Sequence, residues 1–471
     1  MSRQPRFQRA MTTSVKRFAA LKASLRLSVL FLIVYGFTNW LAAHRSHVGT
    51  LFFEWERYTP FIPLMIIPYL SIDVFFVAAP FACRDARELS VLARRVTFAI
   101  LVAGLCFLLF PLRFAFDRPL VSGWLGAMFS AFRSFDRPFN LVPSLHITFQ
   151  LILAHLYARH TTGMVRLASN IWFTLIGVST LLTWQHHVMD VVGGVVLAGY
   201  CFYSFPESPF PLGGSKNRRL GGYYAVASAL ALISAVSFWP WGIILLWPAL
   251  SLAIVSAGYL AVGPAIFRKT DGRLPLSTRF VLGPCIFGQW LSLLYYRRQC
   301  RKWDEVAPGV LIGRKLNDRE AAGAIDGGVT AVLDLTAEFS EAKPFLRLEY
   351  LNVPILDLTA PTQSQLKQIV EFIEEQTRSG KVYVHCKIGY SRSAAAGGAW
   401  LLASGHAAKA AEVLAILRRV RPSIIVRPEV VRSLSLFAET HNSSTASLVE
   451  QIPSERSSAI HEIRRTDTVI L

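Results

Sequence analysis

Long apolar runs fill the chain before residue 300 and constrain its fold more than any other feature of the sequence. The runs lie at about 27–43, 61–82, 96–112, 144–158, 167–184, 188–205, 222–239, 241–263 and 280–296. Most of them approach the ~20 residues that a helix needs to cross the hydrocarbon core of a bilayer. No small-residue cleavage site follows the first run, so we do not expect a removable signal sequence. The sequence predicts an α-helical multi-pass membrane domain with about 8 spans, followed by a soluble domain.

Basic residues produce the formal net charge of +19, and their positions indicate topology rather than nucleic-acid binding. They cluster before the first run and after the second, sixth and eighth runs, which is the positive-inside pattern. The clusters are Arg3, Arg6, Arg9, Lys16, Arg17, Lys22 and Arg26; Arg84, Arg87, Arg94 and Arg95; Lys216, Arg218 and Arg219; and Arg268, Lys269, Arg273 and Arg279. We therefore expect a cytoplasmic N-terminus and no nucleic-acid partner. The 6 cysteines show no paired spacing, so no disulfide framework or metal site is expected.

A short motif near the C-terminal end carries the chemistry of phosphate-ester attack. Cys386 follows a β-like run, five residues separate it from Arg392, and a helix-like run begins near Ser393. The intervening loop can direct its N–H groups inward as an anion cradle, and the helix N-terminus adds positive potential. These groups should keep Cys386 ionised at neutral pH, and Arg392 can grip two phosphoryl oxygens. The predicted phosphate-binding residues are Lys387, Ile388, Gly389, Tyr390, Ser391 and Arg392.

The segment His385–Ser393 resembles the signature of dual-specificity phosphatases in the protein-tyrosine-phosphatase-like superfamily. The resemblance covers roughly residues 300–440. It implies that Cys386 is the nucleophile of a phosphocysteine intermediate and that Arg392 binds the phosphate and the transition state. It also implies that Ser393 eases departure of the thiolate and that His385 orients and tunes the thiol.

A loop upstream of this motif is similar to the general-acid loop of the same family. The loop is Tyr350–Asp357, and the resemblance implies that Asp357 acts as acid and then as base. Strand-like and helix-like segments alternate between residues 300 and 440. This alternation predicts an α/β domain with a mainly parallel sheet and Cys386 at the carboxyl end of a strand.

A second group of polar residues lies inside the apolar region, where such residues are costly. His146 opens the fourth apolar run, and His186 and Asp190 lie between the fifth and the sixth. The fourth and fifth runs form a hairpin, so both histidines should lie at one face. The four-residue spacing places Asp190 beside His186 on a helix. Two histidines, a carboxylate and nearby arginines can form a phosphoryl-transfer site.

These residues resemble the type 2 phosphatidic acid phosphatase superfamily over about residues 60–206. The resemblance implies His186 as nucleophile, Asp190 as its partner and His146 as general acid. Arg118 matches an arginine of the first motif of that family, and Arg113 is the basic residue nearest to the position where the family has lysine.

Two departures from the motifs of that superfamily leave the reaction open. Leu145 replaces the glycine of the second motif, and Thr180 replaces the arginine of the third. Both replacements are similar to the branch that moves phospho-headgroups between lipids. Hydrolysis and transfer therefore both remain possible for this site.

The predicted domain organisation follows from these segments. We expect a basic cytoplasmic N-terminus at 1–26, a lipid-phosphatase-like membrane domain at 27–206 and additional membrane helices with a connector at 207–299. The phosphatase domain follows at 300–440 and a disordered tail at 441–471. Topology puts the histidine site on the periplasmic side of a bacterial inner membrane. If the run at 280–296 does not cross, Cys386 is cytoplasmic.

The sequence thus predicts a membrane-anchored, cofactor-independent phosphatase acting on a phosphomonoester of a phospholipid headgroup, with membrane lipids as partners. One alternative is a membrane-tethered protein phosphatase with a phosphoprotein substrate. Another is a lipid headgroup phosphotransferase whose soluble domain is regulatory. A third is that one of the two modules only binds or docks. The oligomeric state is left open.

Overall fold

The computed structural model describes residues 13–208, 210, 213–238 and 241–450. The chain divides into two compact units, Met1–Pro209 and Phe210–Leu471. The described part of the first unit is helical. Its α-helices are α1 (Thr13–Ala43), α2 (Ile66–Ala82), α3 (Ala86–Leu109), α4 (Gly123–Phe135), α5 (Leu145–His160), α6 (Gly163–Leu182) and α7 (Val188–Ser204).

Helix α5 lies at the centre of the first unit and packs against α2, α3, α6 and α7. Its apolar side chains, such as Phe149 and Ile152, join a buried core with Ile100 of α3 and Phe173 of α6. Helix α7 approaches α5 closely at Gly194, where a Cβ atom would lie 2.6 Å from the carbonyl oxygen of Ser144. A side chain at this position would force the two helices apart, so the glycine permits the close approach.

The second unit combines helices with an α/β domain. The helices before the sheet are α8 (Arg218–Ser237), α9 (Leu246–Ala257), α10 (Leu276–Val281) and α11 (Gly283–Arg297). The strands are β1 (Trp303–Ala307), β2 (Val310–Arg314), β3 (Val329–Thr336), β4 (Glu349–Ile355) and β5 (Lys381–Cys386). The remaining helices are α12 (Asp318–Asp326), α13 (Gln363–Gln376), α14 (Ser391–Ala403), α15 (Ala410–Val420) and α16 (Pro428–Glu450).

In the described part of the chain, six helical segments are long and apolar enough to cross a membrane. They are Lys16–Ala43, Pro63–Ala82, Ala86–Leu109, Gly163–Leu182, Arg218–Ser237 and Leu246–Phe267. The predicted number of about eight spans is therefore not confirmed. Helices α5 and α7 have 16 and 17 residues, and at about 1.5 Å per residue they are shorter than a hydrocarbon core of roughly 30 Å.

The sheet has the strand order β1-β2-β5-β3-β4. Only β1 and β2 are antiparallel among these described strands, so the predicted mainly parallel sheet is confirmed. Strand β5 is central and covered on both faces. Val382 and Val384 enter the core formed with α13, α14 and α16, whereas Tyr383 enters the core formed with α12. Its carboxyl end is consequently a rigid platform for Cys386.

The two ends of the chain differ from the predicted boundaries. Helix α1 already begins at Thr13, within the segment predicted as a basic N-terminus. Helix α16 continues to Glu450, within the segment predicted as a disordered tail. Once a helix is nucleated by packing, each further residue costs little to add. Residues 1–12 and 451–471 lie outside the described residues.

Arg421 provides a test of what stabilises the α/β domain. It is fully buried, and its guanidinium donates to the Asp304 carboxylate at 2.6 Å and to the Arg301 carbonyl at 3.0 Å. Arg421→Met leaves these buried acceptors without that donor, so we expect the free energy of unfolding to fall by roughly 3 kcal/mol. Denaturant unfolding of the full chain in detergent, followed by tryptophan fluorescence, measures the change. Arg418→Met on the exposed face of α15 is the matched control, and equal effects of the two changes would contradict this account.

Candidate active site

The loop between β5 and α14 is shaped by one glycine. Gly389 has φ +77°, and a Cβ atom there would lie 2.6 Å from the backbone carbonyl of Gly313 on β2. Both the backbone conformation and the close approach therefore require glycine. The turn brings the N–H group of Gly389 to 3.3 Å from the Cys386 Sγ atom. The turn thus directs one amide of the predicted anion cradle at the sulfur.

Cys386 is buried at the end of β5, with 3% of its surface exposed. Burial by itself would raise the pKa of the Cys386 thiol. The Arg392 guanidinium, the hydroxyl and amide of Ser393 and the amide of Gly389 outweigh burial, so that this pKa lies below its ordinary value. The sulfur is consequently poised as a thiolate, which is the nucleophilic form.

Arg392 is held in place by a carboxylate that the sequence reasoning did not identify as a site residue. The Glu338 side chain accepts two parallel hydrogen bonds from Arg392, at 2.7 and 3.1 Å, and both side chains are buried. The Ile355 carbonyl accepts a third, at 2.8 Å. This bidentate pairing fixes the plane of the guanidinium. Glu338 lies two residues after the end of β3. An acidic residue near the carboxyl end of a parallel strand is the sequence signal that could have identified it.

Asp357 lies against the same guanidinium. Its carboxylate is 3.1 Å from Arg392 Nη2 and 2.5 Å from Lys387 Nζ. Burial would raise the pKa of Asp357, but Arg392 and Lys387 together lower it below its ordinary value. The carboxyl is therefore ionised in this state. A phosphoryl group that engages Arg392 would withdraw one of these cations, and the pKa of Asp357 would then rise toward the range in which it can donate a proton.

A network of buried charges lies behind the thiolate. His385 Nε2 is 2.7 Å from the Glu341 carboxylate and 3.9 Å from that of Asp334. Burial would lower the pKa of His385, yet these two acids raise it above its ordinary value and so favour the charged imidazole. Lys269 pairs with Asp334, and Lys315 lies 3.4 Å from Glu341.

The triad Asp334, Glu341 and His385 has the spacing of a metal site. Its chemistry fits an ion-pair network better than a metal centre. Both carboxylates are already paired with lysine ammonium groups, which occupy oxygens that a metal would need.

The rest of the predicted phosphate-binding loop divides into backbone and side-chain roles. Ile388 packs with Leu293 of α11 and Phe339, and Tyr390 lies at the edge of that cluster. Ile388 can therefore offer only its backbone to a phosphate. Lys387 points toward Asp357 and α11. Ser391 and Ser393 belong to the first turn of α14, which begins at Ser391 rather than at Ser393.

The histidines that the sequence singles out in the first unit have close polar partners. His186 Nδ1 lies 3.2 Å from the Asp190 carboxylate, and the Ser144 amide donates to the Asp190 carbonyl at 3.0 Å. His146 interacts electrostatically with His186, and its Nε2 is 2.8 Å from the Tyr69 carbonyl. The two histidines and the aspartate therefore lie near one another, and their catalytic roles stay a prediction.

The two arginines predicted for this site, Arg118 and Arg113, differ in their contacts. Arg118 interacts electrostatically with Asp136, a carboxylate that the sequence reasoning missed and that accepts a 2.6 Å hydrogen bond from Tyr35. Asp136 also interacts with His186. The Arg113 side chain is exposed, and no ion pair joins it to this group within the described residues. The structure does not bring Arg113 into the site.

A family model described as "Dual specificity phosphatase, catalytic domain" matches residues 317–440. The human protein named "Phosphatidylglycerophosphatase and protein-tyrosine phosphatase 1" is 30% identical over 161 residues, which span 32% of this chain and 78% of that protein. The chain belongs to the dual specificity phosphatase family. It is accordingly a phosphoric monoester hydrolase with a phosphatase domain at its C-terminal end.

Other relatives match over shorter stretches. A Schizosaccharomyces pombe "Tyrosine-protein phosphatase CDC14 homolog" is 37% identical over 73 residues, and the Candida albicans "Tyrosine-protein phosphatase CDC14" is 29% identical over 108 residues. The matches span 16% and 22% of this chain and only 13% and 20% of those proteins.

Two solved structures are similar to the same part of the chain. PTPMT1 in complex with PI(5)P is 22% identical, covering 31% of this chain and 99% of that one, with TM-score 0.29. The active form of Tk-PTP is 30% identical, covering 29% and 97%, with TM-score 0.28.

The charge pairing around Cys386 predicts a pH profile for alkylation of this phosphatase. Because the pKa of Cys386 is lowered, the reactive thiolate is present above that lowered pKa and is lost as pH falls through it. The rate of Cys386 alkylation by iodoacetamide, plotted against pH, should therefore have its midpoint below the ordinary thiol pKa of about 8.5. Arg392→Met should move the midpoint upward by about one unit or more. Cys300→Ser serves as control, because burial raises the pKa of Cys300, and an unmoved midpoint in Arg392→Met would refute the assignment.

Proposed function

We propose that this chain hydrolyses a phosphate monoester on a phospholipid headgroup at Cys386, through a phosphocysteine intermediate. The observation that carries the proposal is the contact of two candidate membrane spans with the acid loop, by which we mean residues 356–360 around Asp357. Tyr259, in the span Leu246–Phe267, donates from its hydroxyl to the Asp357 carbonyl at 2.9 Å. Asn217, at the start of the span Arg218–Ser237, donates to the Leu358 carbonyl at 3.2 Å.

The geometry of these two spans supports a site at the membrane surface. Helices α8 and α9 follow each other through a short connection and pack side by side. If both spans cross, the start of the first and the end of the second lie at the same face. The catalytic loop then sits at headgroup depth, where Arg218, Arg219 and Arg268 would meet anionic lipid. This position would not help a soluble substrate to reach the site, whereas the phosphate of a lipid headgroup would lie beside it.

The reaction follows from the arrangement of the site residues. The Cys386 thiolate attacks phosphorus, forming an S–P bond while the bond from phosphorus to the leaving oxygen breaks, and Asp357 gives its proton to that oxygen. Arg392 and the loop amides hold the phosphoryl oxygens throughout. In the second step Asp357 takes a proton from water, the resulting oxygen attacks phosphorus, and the S–P bond breaks. Inorganic phosphate leaves, and the Ser393 hydroxyl stabilises the returning thiolate.

The relatives support a lipid substrate without excluding a protein. The name of the human relative combines a phosphatidylglycerophosphatase with a protein-tyrosine phosphatase. The anchoring of the acid loop to apolar helices favours the lipid. We further propose that the chain lies in a bacterial inner membrane with the phosphatase domain in the cytoplasm, since the basic connectors of the second unit follow the positive-inside pattern.

Turnover of two substrate classes by the full chain in vesicles tests this function. We expect kcat/KM for phosphatidylglycerophosphate to exceed that for a phosphotyrosine peptide by roughly 100-fold, because only the lipid is delivered by the bilayer. Cys386→Ser should reduce both activities by at least about 1,000-fold. Cys300→Ser is the matched control and should retain activity.

The other outcomes of this assay separate the alternatives. A faster reaction with the peptide would favour the tethered protein phosphatase. Absence of turnover with both substrates in the unmodified chain would favour a docking domain and would overturn the proposal.

A second activity is supported by the pairing of His186 with Asp190 at 3.2 Å, by the interaction of His186 with His146, and by Asp136, which interacts with both His186 and Arg118. We propose that this group acts on lipid phosphate by attack of His186 on phosphorus, with Asp190 orienting its imidazole. His146 would protonate the leaving oxygen. The acceptor of the phosphoryl group is water in hydrolysis and another lipid in transfer.

Vesicles that contain radiolabelled phosphatidate test this second site in the Cys386→Ser background. We expect residual release or transfer of phosphate to fall by roughly 1,000-fold in His186→Ala, because the nucleophile is removed. Label in free phosphate would indicate hydrolysis, and label in a new lipid would indicate transfer. His155→Ala, which changes a half-exposed histidine of α5, should leave the rate unchanged. Equal rates in the His186 and His155 variants would eliminate the histidine mechanism.

A further inference from the structure

The acid loop holds a backbone conformation that its own residues disfavour. Leu358, directly after Asp357, has φ +61°. This left-handed conformation is uncommon for a residue with a bulky side chain. Such strain persists only where the surroundings over-determine it. The two carbonyl groups of this turn, those of Asp357 and Leu358, accept the hydrogen bonds from Tyr259 and Asn217.

Tyr259 is itself held rigidly. Its side chain is buried, and its ring stacks on that of Tyr224 with centroids 5.5 Å apart and an interplanar angle of 8°. It belongs to a π-helical turn, Gly258–Val262, that widens the end of the helix. Turns of this kind are rare and occur frequently at functional sites. The Tyr259 hydroxyl is therefore a fixed donor that is aimed at the acid loop.

Asn217 has two functions that can be separated chemically. Its Oδ1 atom caps α8 by accepting from the Leu220 amide at 3.1 Å, and its Nδ2 atom donates to the Leu358 carbonyl at 3.2 Å. The backbone N–H of Asn217 also donates to the Tyr259 carbonyl at 3.1 Å. The two anchors of the acid loop are thus joined to each other.

Helix α11 holds the other side of the same carboxylate. Lys387, which pairs with Asp357, also donates to the Gln289 side chain at 2.7 Å, and the Ser292 hydroxyl lies 3.4 Å away. Leu293 packs against Ile388 of the phosphate-binding loop. Three helices outside the α/β domain therefore contact the loops that bear the acid and the nucleophile.

We propose that Tyr259 and Asn217 are positioning residues of the phosphatase reaction, which hold the Asp357 loop so that its carboxyl can protonate the leaving oxygen. The helices preceding the α/β domain would then complete the catalytic site as well as anchoring it. The inference rests on the proposed phosphomonoester chemistry at Cys386, but it does not depend on which lipid is the substrate. It concerns one step, the transfer of a proton from Asp357 to the oxygen as the P–O bond breaks.

The dependence of the rate on the leaving group isolates this step. Nitrophenolate leaves as a stable anion and needs little protonation, whereas an alkoxide needs the proton of Asp357. For the full chain in detergent, Tyr259→Phe should lower kcat for glycerol phosphate by about fivefold to tenfold. Its kcat for p-nitrophenyl phosphate should change by less than about twofold. Asp357→Asn should show the same selectivity with a larger loss, roughly 100-fold.

Two further variants control the experiment. Asn217→Asp keeps the cap of α8 but replaces the donor with a carboxylate oxygen, so it should reproduce the selective loss. Tyr223→Phe, on the exposed face of α8, should lose neither activity. Equal losses with both substrates in Tyr259→Phe would indicate a general structural role and would overturn the proposal, as would no loss with either.

Hydrogen–deuterium exchange tests the positioning role without relying on catalysis, so its result is independent of the proposed function. Hydrogen–deuterium exchange of the amides in 356–360 should be faster in Tyr259→Phe and Asn217→Asp, while exchange of β5 remains unchanged. Unchanged exchange in 356–360 would overturn the positioning role even if the enzyme is active. Failure of the lipid assay, in contrast, would refute the substrate assignment and leave this result intact.

Discussion

A negatively charged sulfur can exist in a buried site only if a cation compensates for the water it has lost, and Arg392 supplies that cation. The arginine is buried too, so its charge requires compensation in turn, which the bidentate Glu338 carboxylate provides. Asp357 shares the same guanidinium. The proposed nucleophile, phosphate-binding group and acid are therefore parts of one balanced set of charges. A phosphate that entered the site would compete with the Asp357 carboxylate for Arg392.

This balance extends beyond the α/β domain. Asp334, behind the nucleophile, pairs with Lys269 from the connector that follows the last candidate span. Lys387 contacts Gln289 of α11, and the Asp357 carbonyl accepts from Tyr259. Separation of the domain from these helices would leave buried polar groups without partners, which is costly. The helices and the phosphatase domain of the second unit consequently depend on each other for stability.

Much of the fold and of the Cys386 site was predictable because its signals are local. The β5–loop–α14 motif is contiguous in sequence, and the alternation of strands and helices follows from short-range periodicity. Asp136 was missed because a single acid has no local pattern that marks it, whereas the one signal for Glu338 was its position just after a strand. The predicted number of spans is not confirmed, because α5 and α7, which coincide with two of the apolar runs, are shorter than the other candidate spans.

The sequence by itself determined the apolar lengths that make membrane helices possible and the cysteine loop that makes phosphate chemistry possible. Both properties belong to segments of fewer than about 30 residues, within which backbone geometry alone brings the groups together. Only the tertiary structure decided which acid balances Arg392 and which hydroxyl anchors the Asp357 loop. Those partners are 54 and 98 residues apart in the chain. The packing of distant elements selects such pairs, and that packing is a property of the whole fold rather than of any single segment.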